Sequence, residues 1–579
     1  MRAISKYGVA ATLAACLVVS GCGAGGGGEG DAGSVVPGAV GAAVDPTSKI
    51  DTETDAVQFL TWSTFGGSKS EIAAITGQDA ADWLASEFAK PATLTLPTLA
   101  AQPRDSNANI ESNRVDELYW DHIITADDQV RQRMAFALSQ IVVYSDAADN
   151  DQLMRGYYQD ILIRNALGNY RELLDEVTYS PAMAEWLTYM RNRKGDPNTG
   201  RMPDENYARE ILQLFSIGLV DLNLDGTPRL DAQGQQIETY SNDDIIGLAR
   251  VFTGLAHAGG NFNRRPDDGD IQQLEMYPEQ HSELEKVFLG TTIPAGTGGE
   301  ESIRIALDTI FEHPNVAPFV SRQLIQRFTQ SNPTPAYIEN VATAFESGRF
   351  TAQNGRVFGE GTRGDLQATL AAVLLEPTLF DDPAANGTIT TGKVREPVLR
   401  FTHWARAFGV SNVNAGNERD LDDTRSSESG LGQQPFSSPS VFNFYRPGFI
   451  APGTNSGNAS LTVPEFQISN EGSAVGYLNF MTDFAFDRTS KRDRDDRTYQ
   501  PNYTDELSLV DDPQALVDHL DTLLTAGRMS AEEKTDIVDI LGTIELRTST
   551  PENTADDQED VVQTAVTLVL NSPSYTVVW

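Results

Sequence analysis

The stretch Pro-Asp-Glu-Asn-Tyr-Ala-Arg-Glu-Ile-Leu-Gln-Leu-Phe-Ser-Ile-Gly (203–218) decides the fold class of this chain. Its apolar residues recur every three or four positions, which predicts an amphipathic helix. An acidic loop, Asp-Leu-Asn-Leu-Asp-Gly-Thr (221–227), follows it. The segment Asn-Asp-Asp-Ile-Ile-Gly-Leu-Ala-Arg-Val-Phe-Thr-Gly (242–254) then repeats the helical pattern. The sequence here predicts a helix, an acidic turn and a second helix.

The same helical spacing continues on both sides of this stretch. Ser68 with Glu71 forms a capping box that predicts a helix start, and another predicted helix covers 393–408. Strand-like runs are short, with candidates only at 237–240 and 287–289. We therefore predict an all-α fold, a large multi-helical body with long irregular loops and at most minor β-hairpins.

The charge balance restricts the function. The 579 residues include 43 Lys plus Arg against 82 Asp plus Glu, a formal net charge of -39. Such a surface repels phosphate backbones, so we expect no nucleic-acid partner. Cations, metal ions and neutral polymers remain compatible partners.

The first residues predict export. Arg2 and Lys6 precede an apolar run at 9–19, and the run ends in Val-Ser-Gly-Cys (19–22), which resembles a bacterial lipobox. We predict a signal peptide over 1–21. The apolar run is too short for a stable membrane span.

The lipobox also predicts how the chain is anchored. Cleavage before Cys22 and acylation of its thiol would attach the protein to a lipid bilayer, outside the cytoplasm, at the outer membrane, in the periplasm or on the cell surface. The alternative is an ordinary signal peptide with an incidental cysteine. The only other cysteine is Cys16, inside the predicted signal, so the mature chain would have no disulfide.

Composition predicts the domain organisation. Residues 22–51 are rich in Gly, Ala, Val and Pro, a composition that predicts a flexible lipidated tether. Residues 52–579 are predicted to form the helical body. Candidate sub-boundaries lie in the loops at 257–300 and 410–465.

Seven blocks of the sequence carry a family resemblance. They are, in chain order, residues 59–67, 204–218, 249–254, 281–290, 313–314 with 317–328, 393–400 and 438–445. Together they resemble a bacterial family catalogued as domain of unknown function 1800. Asp204 departs from the pattern, because the family more often has Asn there. The resemblance implies a secreted, mostly helical protein and supplies no reaction. It also implies a protein partner, since members are often encoded beside a second secreted family of unknown function, number 1501.

The predicted helix at 203–218 offers the first candidate site. On a helical wheel an arc of about 140° holds Glu205, Asn206, Arg209, Glu210, Gln213 and Ser216. One interpretation is a solvated face with a Glu205–Arg209 ion pair, worth at most about 0.5 kcal/mol. The other is catalytic: Glu205 and Glu210 flank Arg209 over a cleft, where a carboxyl group acts as general base or both grip a cation.

His281 is the best candidate among six histidines. It lies in His-Ser-Glu-Leu-Glu-Lys (281–286), a polar segment in which it could join the two carboxylates in catalysis. The alternative is a solvent-exposed side chain or a hydrogen-bond anchor. The sequence contains no His-Glu-x-x-His zinc motif, no Gly-x-Ser-x-Gly elbow and no phosphate-binding loop.

The acidic loop resembles the first half of a calcium loop. Asp221, Asn223, Asp225 and the Thr227 carbonyl occupy ligand positions 1, 3, 5 and 7, but Ala232 stands where the final glutamate is needed. Calcium is therefore a candidate cofactor. A plain β-turn is the alternative, because Asn, Asp and Gly favour turns for conformational reasons.

The segment 435–449 alternates aromatic residues with Pro, Ser and Asn. Such a segment can line a carbohydrate or peptide groove, or it can pack its aromatic rings onto the body.

Two functions follow as hypotheses. The preferred one is a membrane-anchored extracytoplasmic protein that binds or assembles a secreted partner or a surface polymer. The alternative is an extracytoplasmic hydrolase that uses Glu205 and Glu210, so enzyme activity stays open.

Overall fold

Helices in this chain begin where the sequence places capping side chains. The Ser68 hydroxyl accepts from the Glu71 N–H at 3.2 Å, and the Glu71 carboxylate accepts from the Ser68 N–H at 2.8 Å. Thr52 with Asp55 forms the same box one helix earlier. Each box satisfies N–H groups that a helix start would otherwise leave unpaired.

A computed structural model describes residues 48–103, 110, 113–147, 151–266, 269–380, 392–412, 421, 423–487, 499–547 and 549–578. Within these ranges the chain forms 23 α-helices. They are α1 Glu53–Ser63, α2 Lys69–Ile75, α3 Ala80–Phe88, α4 Thr95–Ala100, α5 Arg114–Thr125, α6 Gln129–Ser139, α7 Gln152–Asn165, α8 Tyr170–Thr178, α9 Pro181–Trp186, α10 Asn206–Gln213, α11 Asn242–Ala249, α12 Gly299–Phe311, α13 Val316–Phe328, α14 Pro335–Ser347, α15 Leu366–Leu374, α16 Pro397–Ala407, α17 Asn455–Asn458, α18 Glu471–Ala485, α19 Thr504–Leu507, α20 Pro513–Thr525, α21 Ala531–Leu541, α22 Pro551–Leu570 and α23 Pro573–Thr576.

The strands are short and pair only in twos among the described residues. They are β1 Leu255–Ala256 with β2 Glu275–Met276, β3 Lys286–Phe288 with β4 Thr291–Ile293, β5 Phe350–Thr351 with β6 Val357–Phe358, and β7 Lys393–Val394 with β8 Val577–Val578, all antiparallel. The all-α prediction with minor β-structure is confirmed.

One predicted helix starts later than expected. Residues 393–408 were predicted as helical throughout, but Lys393 and Val394 form β7 and the helix begins at Pro397. Proline suits the first helical position, because its missing N–H needs no partner there. The strand partner, Val577–Val578, lies far along the chain, so local periodicity could not indicate it.

The core consists of one large apolar cluster and a small second one, and it contains a fully buried helix. All eleven residues of α16 are buried, whereas α10 and α11 expose one face. The main apolar cluster extends from Ile50 to Val578, and Ser48–Trp579 forms one compact unit that contains both loops predicted as sub-boundaries. No helix in the described part of the chain is long and apolar enough to span a bilayer.

The body begins slightly before the predicted residue 52. Ile50 is fully buried, its N–H donates to the Gln78 carbonyl at 3.0 Å, and its carbonyl accepts from Gly77 at 2.6 Å. The end of the predicted tether therefore belongs to the body. The predicted signal peptide and Cys22 lie outside the described residues.

Candidate functional site

The exposed face of α10 carries an ion pair. Arg209 and Glu205 approach to 3.4 Å, with their side chains 41% and 37% exposed. Just before the helix, the Asp204 carboxylate accepts from the Asn206 N–H at 2.8 Å. An ion pair this exposed contributes about 0.5 kcal/mol or less. Its geometry matches the solvated-face interpretation.

Glu210 does not share that exposed face. Its residue is only 7% exposed, and Oε2 has no hydrogen-bond partner among the described residues. Burial raises the pKa of Glu210, although the charge of Arg209 opposes the rise. Ser216, also predicted on the polar arc, is fully buried because the helix ends at Gln213 and the chain turns inward. The predicted polar arc is therefore wrong at these two positions.

His281 is a buried hydrogen-bond anchor. Its Nδ1 lies 2.8 Å from the Thr253 carbonyl, which fixes the tautomer with the proton on Nδ1. Burial lowers the pKa of His281, so the ring is neutral near pH 7. Within the described residues no hydrogen bond or ion pair connects His281 to Glu205, Arg209 or Glu210. The structure thus places the four predicted catalytic residues in three separate environments.

The acidic loop folds as a hydrogen-bonded turn. Asp225 Oδ1 accepts from the Thr227 N–H at 2.9 Å and from the Thr227 hydroxyl at 2.6 Å. Asn223 donates to the same hydroxyl at 3.0 Å, and Asp221 pairs with Arg229 at 2.9 Å. No group of three or more His, Cys, Asp or Glu side chains in the described ranges could hold a metal ion. The plain-turn interpretation accounts for all of these bonds, and the calcium site stays a prediction.

A second polar site lies inside the core, where the sequence predicted none. Glu396, at the start of α16, is fully buried, and its Oε2 accepts from Gln140 at 2.5 Å and from Gln433 at 2.6 Å. Burial favours the neutral acid, but Lys393, Arg133 and Arg327 together hold the pKa of Glu396 below its usual range. This buried polar centre, defined by Arg133, Gln140, Arg327, Glu396 and Gln433, joins segments from four distant parts of the chain.

Two arginines of the centre are stacked on aromatic rings. The Arg133 guanidinium lies 4.5 Å from the Phe328 ring, and that of Arg327 lies 5.0 Å from the Tyr445 ring. Each guanidinium donates one hydrogen bond to a carbonyl, Arg133 to Arg327 at 2.5 Å and Arg327 to Gln140 at 3.4 Å. Nε and Nη1 of both are buried without a partner among the described residues.

The charges around the centre do not balance. Lys393 forms a fully buried ion pair with Glu465, so these two charges cancel. The single negative charge of Glu396 then lies beside the positive charges of two arginines. The buried polar centre therefore has a net positive charge, although the whole chain is strongly negative.

The last described residues of the chain pack against residues that lie beside the buried polar centre. Arg395 lies 4.5 Å above the Tyr575 ring, and the Tyr575 hydroxyl donates to the Arg400 carbonyl at 2.5 Å. His403 stacks on the same ring, with centroids 5.7 Å apart. The block at 393–400 is therefore a structural junction between α16 and the last residues of the chain.

The segment 435–449 lines a small cavity beside the centre. Phe436 and Tyr445 are buried. At these two residues the segment packs its aromatic rings onto the body, which is one of the two interpretations of its sequence. Phe436 and Asn443 adopt left-handed backbone conformations, with φ of 59° and 62°. That conformation is unfavourable for a bulky residue such as Phe, and it persists only where surrounding contacts impose it.

Comparison with known proteins identifies the family. The family model described as "Protein of unknown function (DUF1800)" matches residues 58–577. The chain belongs to the DUF1800 family. No curated protein and no solved structure matches this chain.

Three of the blocks on which the DUF1800 resemblance rests meet at the buried polar centre. The block that includes 317–328 supplies Arg327, block 393–400 supplies Glu396, and block 438–445 supplies Tyr445. The resemblance was the only signal in the sequence that could have found this site. Periodicity could not find it, because charged residues on a predicted helix indicate a solvated face.

The described part of this DUF1800 chain also has an open groove of ≈ 460 Å³. Its floor is the buried Arg406, whose guanidinium donates to both carboxylate oxygens of Glu71 at 2.6 and 2.7 Å. Arg406 also donates to the Gly66 and Ile124 carbonyls, at 2.6 and 2.5 Å. The charge of this arginine at the floor of the groove is therefore already paired within the protein.

Proposed function

We propose that this protein is a membrane-anchored extracytoplasmic binding or assembly protein that holds a secreted partner. The alternative partner is a surface polymer. The resemblance to DUF1800 makes a secreted protein of the family numbered 1501 the first class to test. A formal net charge of -39 supports this proposal over nucleic-acid binding, because phosphate backbones are repelled.

The observation that carries the proposal is the position of the exposed apolar side chains. Twelve large apolar side chains are strongly exposed in the described residues, and six of them lie between residues 202 and 287. This exposed apolar set consists of Met202, Leu219, Leu224, Leu230, Leu284 and Val287. Isolated exposed apolar residues are ordinary, whereas a contiguous exposed apolar patch marks an interaction surface, and we infer that neighbouring members of this set form one.

The segment that displays three of these leucines is held firmly. Buried Asn315 donates to the Ile217 and Val220 carbonyls at 2.6 and 2.8 Å and accepts from the Leu222 N–H at 2.6 Å. Gly226 lies so close to α14 that an added Cβ would stand 2.9 Å from the Ile338 Cδ1. A surface that is already ordered loses little conformational entropy on binding.

A pull-down from native membranes tests this surface. We expect the double variant Leu224→Ser and Leu230→Ser to lose a partner that the unaltered chain retains. The matched control is Val475→Ser with Leu507→Ser, two apolar side chains that are exposed elsewhere on the body. Identical partners on all three chains would contradict the proposed surface.

The proposed anchor rests on the sequence at Cys22 and has its own test. Acylation predicts that the chain fractionates with membranes and that Cys22→Ala releases it. Mass spectrometry of the N-terminal peptide would measure the acyl group directly. A chain that stays membrane-bound after Cys22→Ala would contradict the lipid anchor.

One observation supports the hydrolase alternative. Glu210 is buried with a raised pKa, while Glu205 lies exposed beside Arg209. Two carboxyl groups in different environments are the arrangement that acid–base pairs use. If the protein is a hydrolase, Glu210→Gln abolishes turnover without releasing the partner. Loss of the partner with the same variant would support the binding function instead.

A further inference from the structure

We propose that the buried polar centre binds one monatomic anion, chloride being the common case, between Arg133 and Arg327. The anion would accept hydrogen bonds from the guanidinium edges. The site is separate from the exposed apolar set and does not depend on the proposed function.

Buried donors outnumber buried acceptors in the centre. Nε and Nη1 of both arginines lack a partner within the described residues, which makes four unpaired donor nitrogens against one unpaired carboxylate oxygen, Glu396 Oε1. Each arginine is 1% exposed, so bulk water cannot reach these atoms. Leaving donors of a charged group unpaired in the interior is strongly unfavourable.

The buried charges of the centre leave one positive charge unbalanced. Lys393 and Glu465 neutralise each other, and Glu396 balances only one of the two arginines. The next arginines along the chain bind carbonyl and hydroxyl oxygens, since Arg395 donates to the Tyr575 carbonyl and Arg400 to the Ser469 hydroxyl. One negative charge would complete the pairing.

The aromatic rings leave the edges of the guanidinium groups uncovered. The Phe328 ring covers one face of Arg133, and the Tyr445 ring covers one face of Arg327. The unpaired N–H groups lie on the edges. An anion is bound in the plane of a guanidinium, which is where these donors point.

A small cavity adjoins the centre and limits the size of the ligand. It measures ≈ 10 Å³, about the space of one water molecule, and its lining includes Phe136, Gln140 and Asn443 but neither arginine. Phe136 also lies 5.7 Å from the Arg133 guanidinium, and the Gln140 carbonyl accepts from Arg327. Asn443 Nδ2 is a further buried donor without a partner in the described structure. A ligand held between the two guanidinium groups must therefore be small, and sulfate, phosphate and carboxylate ligands are too large.

Thermal unfolding of the full chain tests the proposal. Sodium chloride is titrated against sodium gluconate at equal ionic strength, because gluconate is too large for the cavity. At saturation we expect chloride to raise Tm by about 2 °C over gluconate. Arg327→Gln should remove this difference. Arg406→Gln should keep it, because Arg406 is another buried arginine, and its partners are all within the protein.

A second measurement uses the unaltered chain, in case Arg327→Gln does not fold. Crystals soaked in sodium bromide should show an anomalous peak between the Arg133 and Arg327 guanidinium groups. Equal Tm values in chloride and gluconate, or bromide-soaked crystals with no peak there, would overturn the proposal. A chloride effect that survives Arg327→Gln would overturn it as well.

Discussion

Gln140 and Glu396 lie 256 residues apart in the sequence, yet the Gln140 side-chain amide donates to the Glu396 carboxylate at 2.5 Å. This bond connects the residue that follows α6 to the residue that precedes α16. Glu396 is the only carboxylate that faces both Arg133 and Arg327 in the described centre. Its negative charge therefore holds two helices and two buried cations in place.

We expect Glu396→Gln to destabilise the protein by about 3–5 kcal/mol at pH 7, because it leaves buried cations without a counter-charge. The pKa of Glu396 is held below its ordinary value of 4.5, so its stabilisation is present above that pH and is lost as the pH falls further. Urea unfolding should thus show a constant difference from pH 8 to about 5.5 and a shrinking one below about 4.5. The exposed Glu552→Gln serves as control, with a change within about 0.5 kcal/mol. A pH-independent difference would contradict the role of this charge.

Asn315 is expected to control the segment after α10. Asn315→Ala removes three hydrogen bonds and leaves the Ile217 carbonyl buried, which should cost about 2–3 kcal/mol. Hydrogen exchange should rise at the Leu222 amide. Asn332→Ala is the matched control, because Asn332 makes a similar pair of bonds to the backbone of Thr462. Unchanged exchange at Leu222 would show that other contacts hold the segment.

Local features of this chain were predictable from its sequence. The helix over 206–213 follows from apolar spacing, and the start of α2 follows from Ser68 and Glu71, because these signals act within one or two turns. The strand pair β7 with β8 was not predictable, since its two members come from distant segments.

The burial of Glu210 and the pairing of Gln140 with Glu396 were missed for a similar reason. A helical wheel shows which residues share a face, but only tertiary packing decides which face is covered. Glu210 lies next to Tyr240, whose pKa burial raises to about 12, and Tyr240 belongs to the segment that leads into α11. No spacing in the sequence places that tyrosine over α10.

Glu210→Gln should stabilise the protein at neutral pH. Burial raises the pKa of Glu210 above its ordinary value of 4.5, so the folded state prefers the protonated acid. Its contribution to stability is present below that pH and is lost as the pH rises through the raised value. Urea unfolding should show a gain of up to about 1 kcal/mol at pH 7.5 and none at pH 4. Glu205→Gln should change stability by less than about 0.5 kcal/mol at both pH values, because that ion pair is exposed. A loss of stability with Glu210→Gln at pH 7.5 would mean that the charged carboxylate has a stabilising partner.

The variant Asp225→Ala distinguishes the two interpretations of the acidic loop, a plain turn and a calcium site. Asp225 accepts two hydrogen bonds from Thr227, and Asp221 already has a cationic partner in Arg229. We therefore expect the variant to lose stability through the turn bonds alone, equally in calcium and in a chelator. Melting temperatures of both chains in the two conditions measure this. Asp196→Ala is the control, because its carboxylate accepts a similar turn bond from the Asn198 N–H outside the acidic loop. A loss that appears only when calcium is present would instead establish a calcium site at Asp221, Asn223, Asp225 and the Thr227 carbonyl.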